Sequence, residues 1–197
     1  MKKFLLILSS LLILSSTTMA APITDLNKGE SVVGYSYWNS NVEYSGYDLG
    51  KSQFNGLYLE TAINDKTIVG IESIKGSKNI SGISLDTRFT DISLKSKVNE
   101  NVQLIVGNRT YNTDMSYSGS SASDTTNKLF YGVGVTKDIN EKVAAYVSIT
   151  RCDDANDWQI GTNYKLNENT SLNLNYRYYD VDNLTLKGLG AGLSYTF

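Results

Sequence analysis

The chain ends in Gly188-Leu189-Gly190-Ala191-Gly192-Leu193-Ser194-Tyr195-Thr196-Phe197, and the alternation within that stretch decides the fold. Successive side chains of a strand point to opposite faces. Leu189, Ala191, Leu193, Tyr195 and Phe197 therefore share one face, while Gly188, Gly190, Gly192, Ser194 and Thr196 share the other. One face wants hydrocarbon, and the other is small and polar. At the opposite end of the chain, Lys2 and Lys3 precede an apolar run from Phe4 to Leu14. Thr18-Met19-Ala20 then places small residues where a signal peptidase reads, so residues 1–20 read as a signal peptide cleaved before Ala21, and residues 21–197 as one mature domain. The apolar run is too short to cross a bilayer as a helix, which takes ~20 residues.

Composition narrows the chemistry. Once the leader removes its two lysines, 16 of the chain's 18 basic residues remain against 20 acidic ones, a formal charge of −4. That balance argues against nucleic acid as a partner. No other stretch approaches a transmembrane helix, so residence in a membrane has to come from strands. The chain has no histidine and a single cysteine, Cys152. An imidazole base or metal ligand is thereby excluded, a thiol nucleophile would have nothing to activate it, and an internal disulfide cannot form. No catalytic residue, cofactor or metal site is expected.

Four short breaks share one chemistry: Ile63-Asn64-Asp65-Lys66, Val98-Asn99-Glu100-Asn101, Ile139-Asn140-Glu141-Lys142 and Leu166-Asn167-Glu168-Asn169. Asparagine tolerates left-handed backbone and bonds to its own turn, so Asn64, Asn99, Asn140 and Asn167 mark tight turns at one end of the molecule. Between them lie longer polar breaks at 39–51, 75–84, 112–127, 152–157 and 180–184. Short turns alternating with long loops form the pattern of an up-and-down antiparallel sheet. The intervening segments predict ten strands, over 31–38, 53–63, 67–74, 85–97, 102–111, 128–138, 143–151, 158–166, 170–179 and 186–197. Merging two of them would give eight.

Inside a bilayer every backbone N–H and C=O must pair within the protein, so strands can cross only by closing on themselves. The predicted fold class is therefore all-β, a single closed up-and-down antiparallel transmembrane β-barrel. The one proline, Pro22, lies outside every predicted strand. Outward aromatics fall where interfacial girdles belong: Tyr164 and Phe197 near the short-turn end, Tyr37, Trp158 and Tyr178 near the loop end. A soluble barrel of lipocalin type would need the faces reversed, against Gly132, Gly134, Asn173, Asn175 and Arg177 on the inner one.

A cleavable leader, hairpin-linked alternating strands and a terminal Tyr195-x-Phe197 resemble the small bacterial outer-membrane β-barrel proteins of the porin-like and opacity-protein-like group. The likeness covers the whole mature chain in pattern. It implies residence in the bacterial outer membrane, contact with its lipid, short turns on the periplasmic side and longer loops outside. In that family the barrel-assembly machinery reads the last strand as polar-x-Gly-x-x-apolar-x-apolar. Gly192, Tyr195 and Phe197 match, while Gly190 occupies the polar position.

The same alternation turns Glu60, Glu72, Asp91, Lys95, Arg109 and Arg177 into the lumen, with Glu60 and Lys95 at one height and Asp91, Arg109 and Arg177 at another. Isolated charges there would be costly, so three acids are expected to neutralise three bases as a plug. The charges could instead form a selectivity ring in a narrow channel. Ten strands leave little room for one, since ~8 already give an interior filled by side chains, and Tyr58, Phe130, Tyr146 and Tyr179 also point inward. Glu60, Glu72 and Asp91 as a catalytic cluster would lack a base or nucleophile partner. Residues 112–127 read as a solvated flexible loop or an adhesive tip. Asp153, Asp154 and Asp157 could hold calcium weakly but lack the spacing of a calcium loop. The expectation is a non-enzymatic surface structural or adhesion protein whose extracellular loops meet an extracellular ligand. The alternative is a narrow porin-like channel for ions or small solutes.

Overall fold

In a computed structural model the chain is described over residues 24–80, 83–118, 120–153, 155–181 and 184–197. The expected leader, residues 1–20, and Pro22 lie outside those residues. The described residues form ten strands: β1 (Ser31–Tyr44), β2 (Tyr47–Asn64), β3 (Thr67–Ile80), β4 (Ile83–Lys97), β5 (Val102–Tyr117), β6 (Ser120–Asn140), β7 (Val143–Cys152), β8 (Ala155–Lys165), β9 (Thr170–Val181) and β10 (Leu184–Thr196). Each pairs antiparallel with its sequence neighbours, and β1 closes onto β10 with Val33 opposite Tyr195 and Tyr37 opposite Ala191. Closure leaves no strand edge, the condition for a sheet to sit in hydrocarbon. Ten strands, not eight, make the barrel.

The outer face is apolar and bare. Leu57, Ile92, Leu129 and Leu189 are each more than 60 % exposed, which is tolerable only against lipid, and we read the barrel as membrane-spanning. Trp158 stacks on Tyr178 with centroids 5.3 Å apart, so two of the three aromatics expected at the loop end are joined. Inside, the buried side chains mix charged, polar and aromatic groups with aliphatic ones such as Ile68, Ile105, Leu184 and Leu186. With the apolar face exposed outside and the paired charges within, the faces are the reverse of a lipocalin's.

The expected long loops are largely outward continuations of the strands. In the segment 112–127, read as a solvated loop, Thr113 lies opposite Asp124 and Tyr117 opposite Ser120. Side chains bridge the pair as well: Thr125 donates to Asn112 Oδ1 at 2.9 Å and Thr110 to Asn127 Oδ1 at 2.7 Å. The reading failed for a physical reason. Above the hydrocarbon both faces meet water, so the apolar alternation that marks a strand disappears while the backbone ladder continues. From Thr110 to Tyr117 the β5–β6 hairpin rises ~25 Å at ~3.4 Å per residue. By contrast, the β7–β8 hairpin turns just beyond Arg151 opposite Asn156. The rim is uneven.

Turn chemistry fixes both ends. At the first outer tip Ser45 and Gly46 have φ of 47° and 80°, the left-handed pair of a type I′ turn that matches strand twist. At the other end, Asn99 Oδ1 accepts from the amides of Asn101 and Val102, Asn140 Oδ1 from those of Lys142 and Val143, and Asn167 Oδ1 from those of Asn169 and Thr170, at 2.8–3.0 Å. Asn64 Oδ1 accepts from Lys66 at 2.9 Å.

Some inner rings press directly on backbone. A Cβ added to Gly34 would sit 2.2 Å from the Tyr58 ring. Gly34→Ala is therefore expected to lower the stability of the detergent-folded barrel by ~1–3 kcal/mol, the usual cost of overpacking, read as a lower urea midpoint at unchanged slope.

Candidate functional site

The six charged residues placed in the lumen by alternation are all at least 95 % buried. Lys95 Nζ lies 2.5 Å from Glu60 Oε1, joining β4 to β2. Arg109 on β5 forks onto Asp91 of β4 through Nε and Nη2. These two pairs follow the expected heights. Arg177 departs from them: on β9 it forks onto Asp157 of β8, donating from Nε at 2.9 Å to Oδ1 and from Nη2 to Oδ2. Asp157 is 97 % buried, although its stretch read as an exposed acidic turn. The weak calcium reading of that turn loses one of its three carboxylates to Arg177.

The expected balance of three acids and three bases is thus corrected to four acids against three. Glu72, opposite Asp91 on β4 and Tyr58 on β2, is the extra carboxylate. Its Oε2 is buried without a hydrogen-bond partner. The space among Glu60, Glu72, Asp91, Lys95 and Phe130 amounts to about 10 Å³, roughly the minimum for a single water.

Two layers that sequence reasoning missed close the lumen on either side. Toward the outer rim Trp38, Phe54, Phe89 and Tyr111 run ring to ring, with centroids 5.3, 6.4 and 5.6 Å apart. Arginines bind this layer to the ion pairs: Arg177 lies 5.6 Å from the Trp38 ring centre and Arg109 5.8 Å from that of Tyr111, within cation–π range. Toward the short turns the chain before β1 folds under the barrel. Leu26 is 98 % buried beside Val32, Tyr58, Ala62 and Ile68. Thr24 donates to Glu60, Gln103 Nε2 donates to the Thr24 carbonyl at 3.0 Å, and Lys97 holds Asp25 and the Leu26 carbonyl at 2.5 and 2.6 Å. Alternation could not expose this cap, because it is not a strand.

The remaining predicted residues lie at the closing seam. Tyr195 and Phe197 face outward and stack at 6.3 Å, and the Phe197 and Ser31 backbones exchange two hydrogen bonds of 2.8 Å. Gly192 lets Tyr35 approach, since an added Cβ would stand 2.8 Å from the Tyr35 carbonyl oxygen. Cys152, above the apolar band, is buried against the Tyr111 hydroxyl at 3.6 Å, and burial pushes its thiol up, away from the reactive thiolate.

No family model and no curated protein matches the chain. Its structural neighbours among solved proteins include outer-membrane β-barrels. The translocator domain of the autotransporter NalP from Neisseria meningitidis is 8 % identical, with 87 % of this chain and 90 % of that one covered and a TM-score of 0.58. The attachment invasion locus protein Ail of Yersinia pestis is 18 % identical, with 86 and 99 % covered and a TM-score of 0.47. Neisserial surface protein A is also 18 % identical, with 86 and 100 % covered and a TM-score of 0.46. What this chain shares with the NalP translocator domain is the fold.

Removing one partner of a buried pair leaves the other charge uncompensated, at a typical cost of ~3–5 kcal/mol, whereas replacing both is often tolerated. Arg109→Met should therefore lower the urea midpoint strongly, and Arg109→Met with Asp91→Leu should recover most of the loss. Glu72→Gln should be neutral or stabilise by about 1 kcal/mol, because it removes a charge with no bonded counterpart. A loss for Glu72→Gln as large as that for Arg109→Met would show that Glu72 is paired in solution.

Proposed function

We propose that the chain is an integral outer-membrane barrel, non-enzymatic, that works as a rigid stalk displaying its outer hairpins to an extracellular ligand. The observation that carries this is the filled lumen. Ion pairs, an aromatic layer and the Thr24–Leu26 cap succeed one another along the axis. Such an interior transmits rigidity, not solute. The β1–β2 and β5–β6 hairpins rise past the apolar band, and their tips carry exposed Tyr47 and Tyr117, aromatic side chains that offer contact area at low entropic cost. A non-enzymatic role is supported by the absence of histidine and by the buried thiol. Assembly would proceed through the Gly192, Tyr195 and Phe197 signature presented to the barrel-assembly machinery, with outer-membrane lipid around the apolar band.

Two measurements separate display from conduction. Replacing 113–124 by Asn-Gly keeps Asn112 opposite Thr125 and should leave the barrel folded while abolishing attachment of expressing cells to an epithelial monolayer. Unchanged attachment would remove the adhesive role from this hairpin. In planar bilayers the native protein should give a flat baseline over many insertions, and stepwise conductance would favour the channel.

A further inference from the structure

Above the apolar band the barrel wall forks. β2 and β3 remain paired up to Gln53 opposite Ser77. Beyond that point β2 continues against β1 alone and β3 against β4 alone, so two hairpins separate. Lys78 reaches over the fork and donates to the Lys51 carbonyl. On the outer surface at the fork lies a concavity of about 880 Å³, walled by residues from β1 to β5. That volume is within the ~300–1,000 Å³ of sites that hold sizeable ligands, and far more than one inorganic anion fills.

A single row crosses it. Asn55 of β2, Lys75 of β3, Arg88 of β4 and Asn112 of β5 stand successively opposite one another on the outward face. Lys75 and Arg88 are thus directly opposed like charges, an arrangement that destabilises a sheet. Among the described residues neither has an ion-pair partner. The nearest acids of the groove, Asp86 and Asp114, oppose each other one row farther out. With Lys51 and Lys78 counted, four cations face two carboxylates. Two opposed cations flanked by two amides make an array of donors suited to an anion that also carries hydroxyls.

The height of the row identifies the anion. Lys75 lies four residues beyond exposed Ile71, Arg88 four residues before exposed Ile92 and Asn55 two residues before exposed Leu57, ~7–13 Å along the strands from the last outward apolar side chains. That is the headgroup layer outside the ~30 Å hydrocarbon core. We propose that the groove seats the phosphate-bearing headgroup of an outer-leaflet glycolipid, with Lys75 and Arg88 on the phosphate and the Asn55 and Asn112 amides on sugar hydroxyls. The assignment rests on the membrane placement above and is independent of adhesion and of the closed lumen.

Protein in nanodiscs of neutral phospholipid can be titrated with a phosphorylated glycolipid or its dephosphorylated counterpart, with retained lipid read by native mass spectrometry. The native chain should prefer the phosphorylated lipid by roughly tenfold or more. Lys75→Gln with Arg88→Gln should lose that preference while still inserting with an unchanged sheet spectrum. Lys187→Gln, which removes an outer-rim cation already paired to Glu43 at 2.8 Å, should retain it. Equal retention by the double variant, or equal retention of the dephosphorylated lipid, overturns the site. Full displacement by inorganic phosphate at lipid-equivalent concentration overturns the lipid as occupant in favour of a free anion. Failure of the native protein to insert would instead count against the membrane placement.

Discussion

Everything in this molecule depends on the seam where β1 meets β10. Without the ladder that sets Val33 opposite Tyr195, two strand edges would face hydrocarbon, each open N–H and C=O at a cost of several kcal/mol. Closure in turn creates an interior that side chains must fill. With ten strands that interior is narrow, so inward residues pack against one another and most inward charges are paired. The bonds between Ser31 and Phe197 place the first residue of β1 beside the residue that follows β10. The seam is thus made by the most distant parts of the sequence, and its formation commits all ten strands to one register.

The lumen shows how burial and charge are reconciled. Two arginines fork onto aspartates on adjacent strands, Arg109 with Asp91 and Arg177 with Asp157, and each also lies over an aromatic ring. Planar guanidinium suits both contacts at once, where lysine would satisfy only the charge. The lysine of the set, Lys95, instead meets Glu60 beneath the level where rings dominate, with Thr24 completing the carboxylate from the cap. Glu72 alone departs from this economy. Among the described residues its carboxylate is the inward charge that has no ion-pair partner.

How much of this was legible in the sequence varied with solvent. Within the hydrocarbon band, a period of two separates lipid from lumen, so Leu172, Leu174 and Tyr176 against Asn173, Asn175 and Arg177 were readable residue by residue. The Asn-acid turns were readable because the side chain itself makes the bond. Beyond the band the contrast vanishes: Ser120 to Asn127 is polar on both faces, and its pairing is invisible until the backbone is seen. Asp157 was hidden for the same reason, lying in a polar run whose inward position depended on β8 beginning at Ala155 rather than three residues later. The cap from Thr24 to Leu26 carries no periodic signal at all. The outer-face row of Lys75 and Arg88 needed register, since the two residues meet only through strand pairing.

The ladder that carries β5 and β6 past the membrane has a consequence for how the surface is seen by its surroundings. A serine-rich stretch such as 120–126 would, as loose chain, be an easy substrate for proteases and a good linear epitope. Held in register across Tyr117 and Ser120, it presents an extended, hydrogen-bonded backbone that cannot enter a protease cleft without first unzipping. Antibodies raised against the free peptide would meet a shape the cell surface does not offer.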